Sequence, residues 1–200
     1  MKNQHKDVRR HILHTAREIV GRKGFSAVGL NELLQAAAVP KGSFYHYFDS
    51  KDAFGQALLE DYFEGYLARM QTLFASDRSE VHQLLVYWQG WIDSQTGPGG
   101  YGKCLAVKLG AEVADLSEAM RQALDQGTTR IIQCLAQVLA RGEERGSLRP
   151  ALQPEPLARQ LYALWLGASV MAKITRAASP FDHALAMTRS MLHDTNAVQD

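Results

Sequence analysis

From Val8 to near the C-terminus, the apolar residues of this chain recur every three or four positions, and that spacing is the period of a helix. No stretch alternates apolar and polar residues with β-branched enrichment. The expected fold class is therefore all-α, with about nine helices. Val8, Ile12, Ala16, Ile19 and Val20 mark a first helix ending between Gly21 and Gly24, with Arg22 and Lys23 suited to the negative end of its dipole. Leu30, Leu33, Leu34 and Ala37 mark a short second helix. Pro40 breaks it, because the residue before a proline avoids the α region. A third short helix is expected over 42–48, and Ser50 looks like the cap of a fourth that runs from Lys51 into the seventies. Longer helices are expected over about 79–94, 104–113 and 155–177, with a last one after Pro180. Asp115 with Glu118 reads as the cap of the helix that ends near 142–146. Thr96 to Gly102 reads as a flexible loop, and residues 194–200 as a frayed end.

Charge divides the chain more sharply than hydrophobicity does. The whole chain carries a net charge of +1, but residues 1–51 hold 9 basic and 4 acidic side chains and four of the seven histidines. A basic head on an acidic body suggests that the head meets a polyanion, and sets expected domains at 1–51 and 52–200. Two cysteines, Cys104 and Cys134, cannot make a disulfide framework. With no apolar leader after the basic N-terminus and no run long enough for a membrane span, the expected location is the cytoplasm.

The segment from Leu30 to Phe54, LNELLQAAAVPKGSFYHYFDSKDAF, has the ingredients of a helix-turn-helix: two short helices joined by a tight turn. On the third helix Phe44 and Phe48 share a face and can anchor it. Lys41, Ser43, Tyr45 and His46 occupy the other positions and suit entry into a major groove. Gly42 permits close approach of the backbone to phosphate, and Lys51 adds a point charge. An aromatic cluster of this kind can equally be plain core. Double-stranded DNA is the partner favoured by the basic head.

The stretch from Gly24 to Phe54 resembles the DNA-binding domain of the TetR family of transcriptional repressors. Lys41-Gly42-Ser43-Phe44-Tyr45-His46-Tyr47-Phe48, followed by Ser50-Lys51-Asp52, matches that family's signature in residue type and spacing together. Gly29 departs from it, since the family usually places a Ser or Thr there to cap the second helix and touch phosphate. The resemblance implies a homodimer that reads a palindromic operator, its last two long helices pairing with their mates.

The sequence supports a dimer independently. Leu157, Leu161, Leu164, Trp165, Ala168 and Met171 line one side of the helix over 155–177, and Tyr162, Leu166 and Val170 the other. A helix apolar all round is buried on both faces. Leu161, Trp165 and Ala168 are the candidate interface residues.

Cys104 is the candidate sensor. It falls at an expected helix N-terminus, where the dipole favours thiolate, with Lys103 adjacent and Lys108 one turn on. The residues alone also allow a small buried hydrophobe there. The segments GKCLAVKLGAEVADLSEAMRQALDQG and LYALWLGASVMAKI resemble an electrophile-responsive member of the family, which favours the sensor. Lys173 extends the face of Tyr162, Leu166 and Val170, and is a candidate partner of an oxidised sulfur. Cys134 reads as core.

Tyr87, Trp88, Trp91 and Trp165 are candidates for an effector pocket or for plain aromatic core. Two further readings stay open: a repressor induced by a non-covalent apolar ligand, and a thiol enzyme using Cys104, for which His82, His183 and His193 carry no linking motif. The chain is otherwise expected to be no enzyme. No cofactor and no metal is expected, since there is no P-loop and no spaced Cys/His set. Gly97, Gly99 and Gly102 match G-x-G-x-x-G but follow a helix rather than a strand. Glu112, Asp115 and Glu118 read as caps and surface.

Overall fold

A computed structural model describes residues 2–97, 104–148 and 153–192, with side chains from Asp7 onward. The expectations for Gly99, Gly102, Lys103, His193 and residues 194–200 lie outside the described residues. Within them the chain forms nine helices and no strand: α1 Lys2–Lys23, α2 Leu30–Ala36, α3 Lys41–Tyr47, α4 Lys51–Phe74, α5 Glu80–Thr96, α6 Leu105–Ala114, α7 Glu118–Glu144, α8 Pro154–Thr175 and α9 Ser179–Leu192. The sequence periodicity located all nine to within a few residues.

The helix boundaries have identifiable causes. α1 stops at Gly24, whose φ of +92° is open to glycine and strained for other residues. The Ser50 hydroxyl accepts the Ala53 N–H at 3.0 Å and caps α4, as expected. At α7 the cap is Ser117 instead of Asp115: its hydroxyl accepts the Met120 N–H at 3.4 Å. Asp115 is the C-terminal cap of α6, and Glu118 gives both carboxylate oxygens to Arg121 at 2.7 Å. The turn between α2 and α3 is a Schellman motif, with Ala38 N–H on Gln35 O at 3.2 Å and Val39 N–H on Leu34 O at 3.1 Å. Ala38 therefore sits at φ +52°, where glycine is the usual occupant.

The chain divides into two compact units. The first comprises residues 1–66 with 99–128, and the second 67–98 with 129–200. This differs from the division at residue 51 suggested by charge, because α6 and the start of α7 pack with the basic head. In the first unit Ile12, Leu13, Val20, Leu33, Phe44, Phe54, Leu58, Leu59 and Leu105 form the core. α4 approaches α7 so closely at Gly127 that a Cβ there would lie 2.2 Å from the Phe63 ring. The second unit is built on α5, α8 and α9, with α8 against α9 and α9 against α5. No helix among the described residues is long and apolar enough to cross a membrane.

Candidate functional site

α3 is held from one side only. Pro40 precedes it in extended conformation, and its carbonyl accepts the Ser43 and Phe44 N–H groups. Phe44 is completely buried, with its ring 5.1 Å from Phe48 and 5.3 Å from Phe54. Edge-to-face and tilted rings at these distances lock orientation as well as burying area. The Arg9 guanidinium covers the Phe48 ring at 5.3 Å. What α3 leaves outward is Lys41, Gly42, His46 and Tyr45, the last 48% exposed, with Ser43 half-buried.

The elements around α3 fix its pose. His11 Nε2 and the Ala37 carbonyl lie 3.0 Å apart, tying α1 to the end of α2. Lys51 Nζ lies 5.0 Å from the centre of the Phe25 ring, so its charge is held at the start of α4. Gly29 is the N-cap residue of α2 and supplies no side-chain cap, consistent with the departure noted from sequence.

Cys104 is the N-cap residue of α6, and its carbonyl accepts the Lys108 N–H at 3.0 Å. Its side chain is buried, 7% exposed. The Tyr62 hydroxyl donates to Cys104 Sγ at 3.5 Å. The Tyr62 ring lies beneath the Arg17 guanidinium at 4.8 Å and packs edge-on against Phe63 at 5.1 Å. The thiol is thus linked through Tyr62 of α4 to Arg17 of α1, within the unit that carries α3. Sequence reasoning missed both Tyr62 and Arg17. Tyr62 looks like any aromatic in an apolar stripe, and nothing local marks a contact 42 residues away.

Cys134 is half-buried, short of the full burial expected. Burial pushes its thiol pKa up, against a smaller opposing effect of Arg141. That shift lowers the share of the reactive thiolate at Cys134.

In the second unit the tryptophans stack on one another. Trp88 and Trp165 lie parallel, with centroids 4.7 Å apart and planes 6° apart, and both are fully buried. The Trp91 indole N–H donates to Ser169 Oγ at 2.9 Å, and that of Trp165 to Thr188 Oγ1 at 3.0 Å. Tyr162 meets Trp91 edge-on at 5.8 Å. Trp88 Nε1 and Gln95 Nε2 are buried with no hydrogen-bond partner among the described residues. Lys173 is half-buried near the end of α8.

Of the residues expected at an interface, Leu161 and Trp165 are fully buried within the chain and Ala168 is 8% exposed. The outward apolar residues are Val170, Met171 and Ile174 on α8 and Met187 on α9, with Ala163 and Gly167 continuing the α8 stripe. α8 is apolar on all sides, and its sequence could not say which side faces inward.

Comparison with known proteins agrees with this architecture. Residues 12–58 match the family described as bacterial regulatory proteins, tetR family, and residues 80–188 match the tetracyclin repressor-like C-terminal domain. The HTH-type transcriptional repressor NemR of Escherichia coli (strain K12) is 43% identical over 192 residues, covering 96% of each chain. The HTH-type transcriptional repressor DhaR of Mycobacterium sp. (strain GP1) is 32% identical over 179 residues, covering 89% of this chain and 88% of that one. The crystal structure of the reduced form of E. coli NemR superposes with a TM-score of 0.89 at 43% identity, over 94% of this chain and 97% of that one. The chain belongs to the TetR family of transcriptional regulators.

Proposed function

We propose that this TetR-type repressor is a homodimer that binds a palindromic operator and is released when Cys104 reacts with an electrophile or oxidant. The observation that carries the DNA reading is the two-sided character of α3. Phe44, Phe48 and Phe54 clamp one face, and the other presents a phenol, an imidazole and an ammonium group. Tyr45 and His46 reach base edges in this reading. Lys41, Gly42 and Ser43 approach phosphate at the start of α3, and Lys51 adds a phosphate contact from α4. In the dimer, Val170, Met171, Ile174 and Met187 meet their mates. Two heads related by a two-fold axis then read half-sites one turn of DNA apart, about 34 Å. The test is selection of bound sequences from random duplexes. A pseudo-palindrome with half-sites one turn or a multiple apart supports the reading, and unselective binding overturns it.

Thiol sensing rests on the setting of Cys104. Cys104 stands at the start of α6 and its Sγ accepts the Tyr62 hydroxyl, and a thiolate formed there is the nucleophile. The thiolate adds to the electron-poor carbon of an α,β-unsaturated carbonyl. A C–S bond forms, the π electron pair moves to the carbonyl oxygen, and water returns a proton to carbon. The adduct needs room in a site where Sγ is already buried, so it displaces Tyr62 and shifts α4 and the heads above it. Lys173 is the second proposed sensor residue, tested by whether Lys173→Ala blunts the response to oxidants. This chemistry fits the cytoplasm, where thiols rest reduced. The likeness to NemR, which is known in a reduced crystal form, supports the redox reading.

A second reading, a non-covalent effector among Trp88, Trp91 and Trp165, draws support from the unmatched donors Trp88 Nε1 and Gln95 Nε2. Buried donors without acceptors are costly, and a ligand carbonyl would satisfy one. Release of operator by an unreactive carbonyl compound, in protein lacking the Cys104 thiol, distinguishes it.

A further inference from the structure

Glu112 sits in the last turn of α6, a turn that carries no basic residue. A carboxylate there faces the negative end of the helix dipole, so it works against the helix that carries it. Its placement is explained by what it reaches. Glu112 Oε1 accepts the backbone N–H of Ser26 at 2.6 Å, across 86 residues of sequence. Ser26 lies in the turn between α1 and α2, two residues after Gly24. At Gly24, φ is +92° and an added Cβ would fall 2.7 Å from Glu112 Oε2. Turn and carboxylate are therefore fitted to each other. The intervening Phe25 is buried, stacks 6.5 Å from Phe54 and lies under the Lys51 ammonium, so this turn also borders the start of α4.

We propose that Glu112 is a positioning residue for operator binding: it fastens α6 to the α1–α2 turn and so holds the helix-turn-helix in its DNA-reading pose. Partial burial raises the Glu112 pKa, but the Ser26 and Phe25 amides and the nearby Lys108 outweigh it and keep the carboxylate charged near neutrality. α6 then has two attachments in the first unit, Cys104 on Tyr62 at its start and Glu112 on Ser26 near its end. A displacement of α6 from any cause pulls on the turn that leads into α2 and α3. The inference rests on the DNA-binding reading and is independent of whether Cys104 is the trigger.

The test compares full-length Glu112→Ala and Glu112→Gln with the parent protein, using the selected operator duplex and hydrogen exchange of the segment containing Ser26. Glu112→Ala is expected to weaken operator binding about fivefold, the loss of one charge-assisted hydrogen bond at a partly exposed site. Exchange at Ser26 should accelerate at least as much, with helix content and dimerisation unchanged. Glu112→Gln keeps an acceptor oxygen and is expected to lie between the two. Exchange is read without DNA, so it tests the attachment even if operator binding fails in the parent. Unchanged exchange at Ser26 in Glu112→Ala overturns the proposal, as does faster exchange with operator affinity within twofold of the parent.

Discussion

The Tyr62 hydroxyl donates to Cys104 Sγ across 3.5 Å, from a ring that lies under the Arg17 guanidinium. A cation over the face of a phenol draws electron density from it and makes its O–H a better donor, so Arg17 of α1 acts through Tyr62 of α4 on the Cys104 sulfur. Tyr62→Phe keeps the ring beneath Arg17 and removes only the hydroxyl. It is expected to slow alkylation of Cys104 by a small maleimide about fivefold, in keeping with the loss of one hydrogen bond to an ionised group. Operator affinity of the unmodified protein should stay within about twofold, because α3 is not touched. Mass-spectrometric adduct rates and operator titration check the two halves.

Tyr45 and Phe44 are neighbours with opposite roles. Tyr45 is 48% exposed, and Phe44 is fully buried. Tyr45→Ala should weaken specific operator binding at least tenfold while melting temperature and dimerisation stay as in the parent. Phe44→Ala should cost about 3–5 kcal/mol and disorder the head. Anisotropy titration with thermal melting distinguishes a missing DNA-reading side chain from an unfolded head.

Glu80 ties the start of α5 to the end of α7 in the second unit. Its side chain is 2% exposed, accepts the Ser147 hydroxyl at 2.6 Å and Arg145 at 3.0 Å, and lies beside the close packing of Gly142 on Leu148. The Ser147 hydrogen bond first, then a hydrogen bond from its own backbone and the charges of Arg145 and Arg141, hold its pKa below the usual 4.5 against the opposing effect of burial. The folded carboxyl is thus the stronger acid. Its contribution is present above the unfolded value and is lost as pH falls through the lower folded value. Arg145 is 68% exposed, so solvent screens the ion pair and the hydroxyl contributes more. Glu80→Gln should cost about 2 kcal/mol at neutral pH, and the gap to the parent should close in acid. Chemical denaturation at a series of pH values reads this directly.

Ala38 occupies the left-handed position of the turn between α2 and α3, at φ +52°, with its side chain exposed. Glycine there relieves a strain of about 1 kcal/mol and gives up no packing. Ala38→Gly should stabilise the protein by roughly 0.5 kcal/mol, after the entropy glycine costs, with operator affinity preserved. A denaturation midpoint that falls would count against the assigned turn geometry.

What the sequence made legible was local. The break at Pro40, the Phe44–Phe48 clamp and the Ser50 cap all depend on residues within a few positions of one another, and spacing resolves them. The start of α7 was misjudged because Asp115 and Ser117 stand two residues apart and both are good caps. The covered side of α8 was not legible because Leu161 and Val170 belong to equally apolar stripes, and the packing of α8 on its neighbours buries the first and leaves the second exposed. The two attachments of α6 join residues 42 and 86 positions apart, through a phenol and a carboxylate that look like ordinary core and surface. Contacts of that range leave no periodic trace.

The most direct measurement is operator binding by the purified protein before and after a small maleimide, with Cys104→Ser alongside. The account predicts that the parent loses operator affinity on alkylation, while Cys104→Ser binds operator and keeps it under the same treatment. Cys134, half-buried with its thiol pKa pushed up by burial, should contribute little. Equal loss in both proteins, or loss in neither, contradicts Cys104 as the switch.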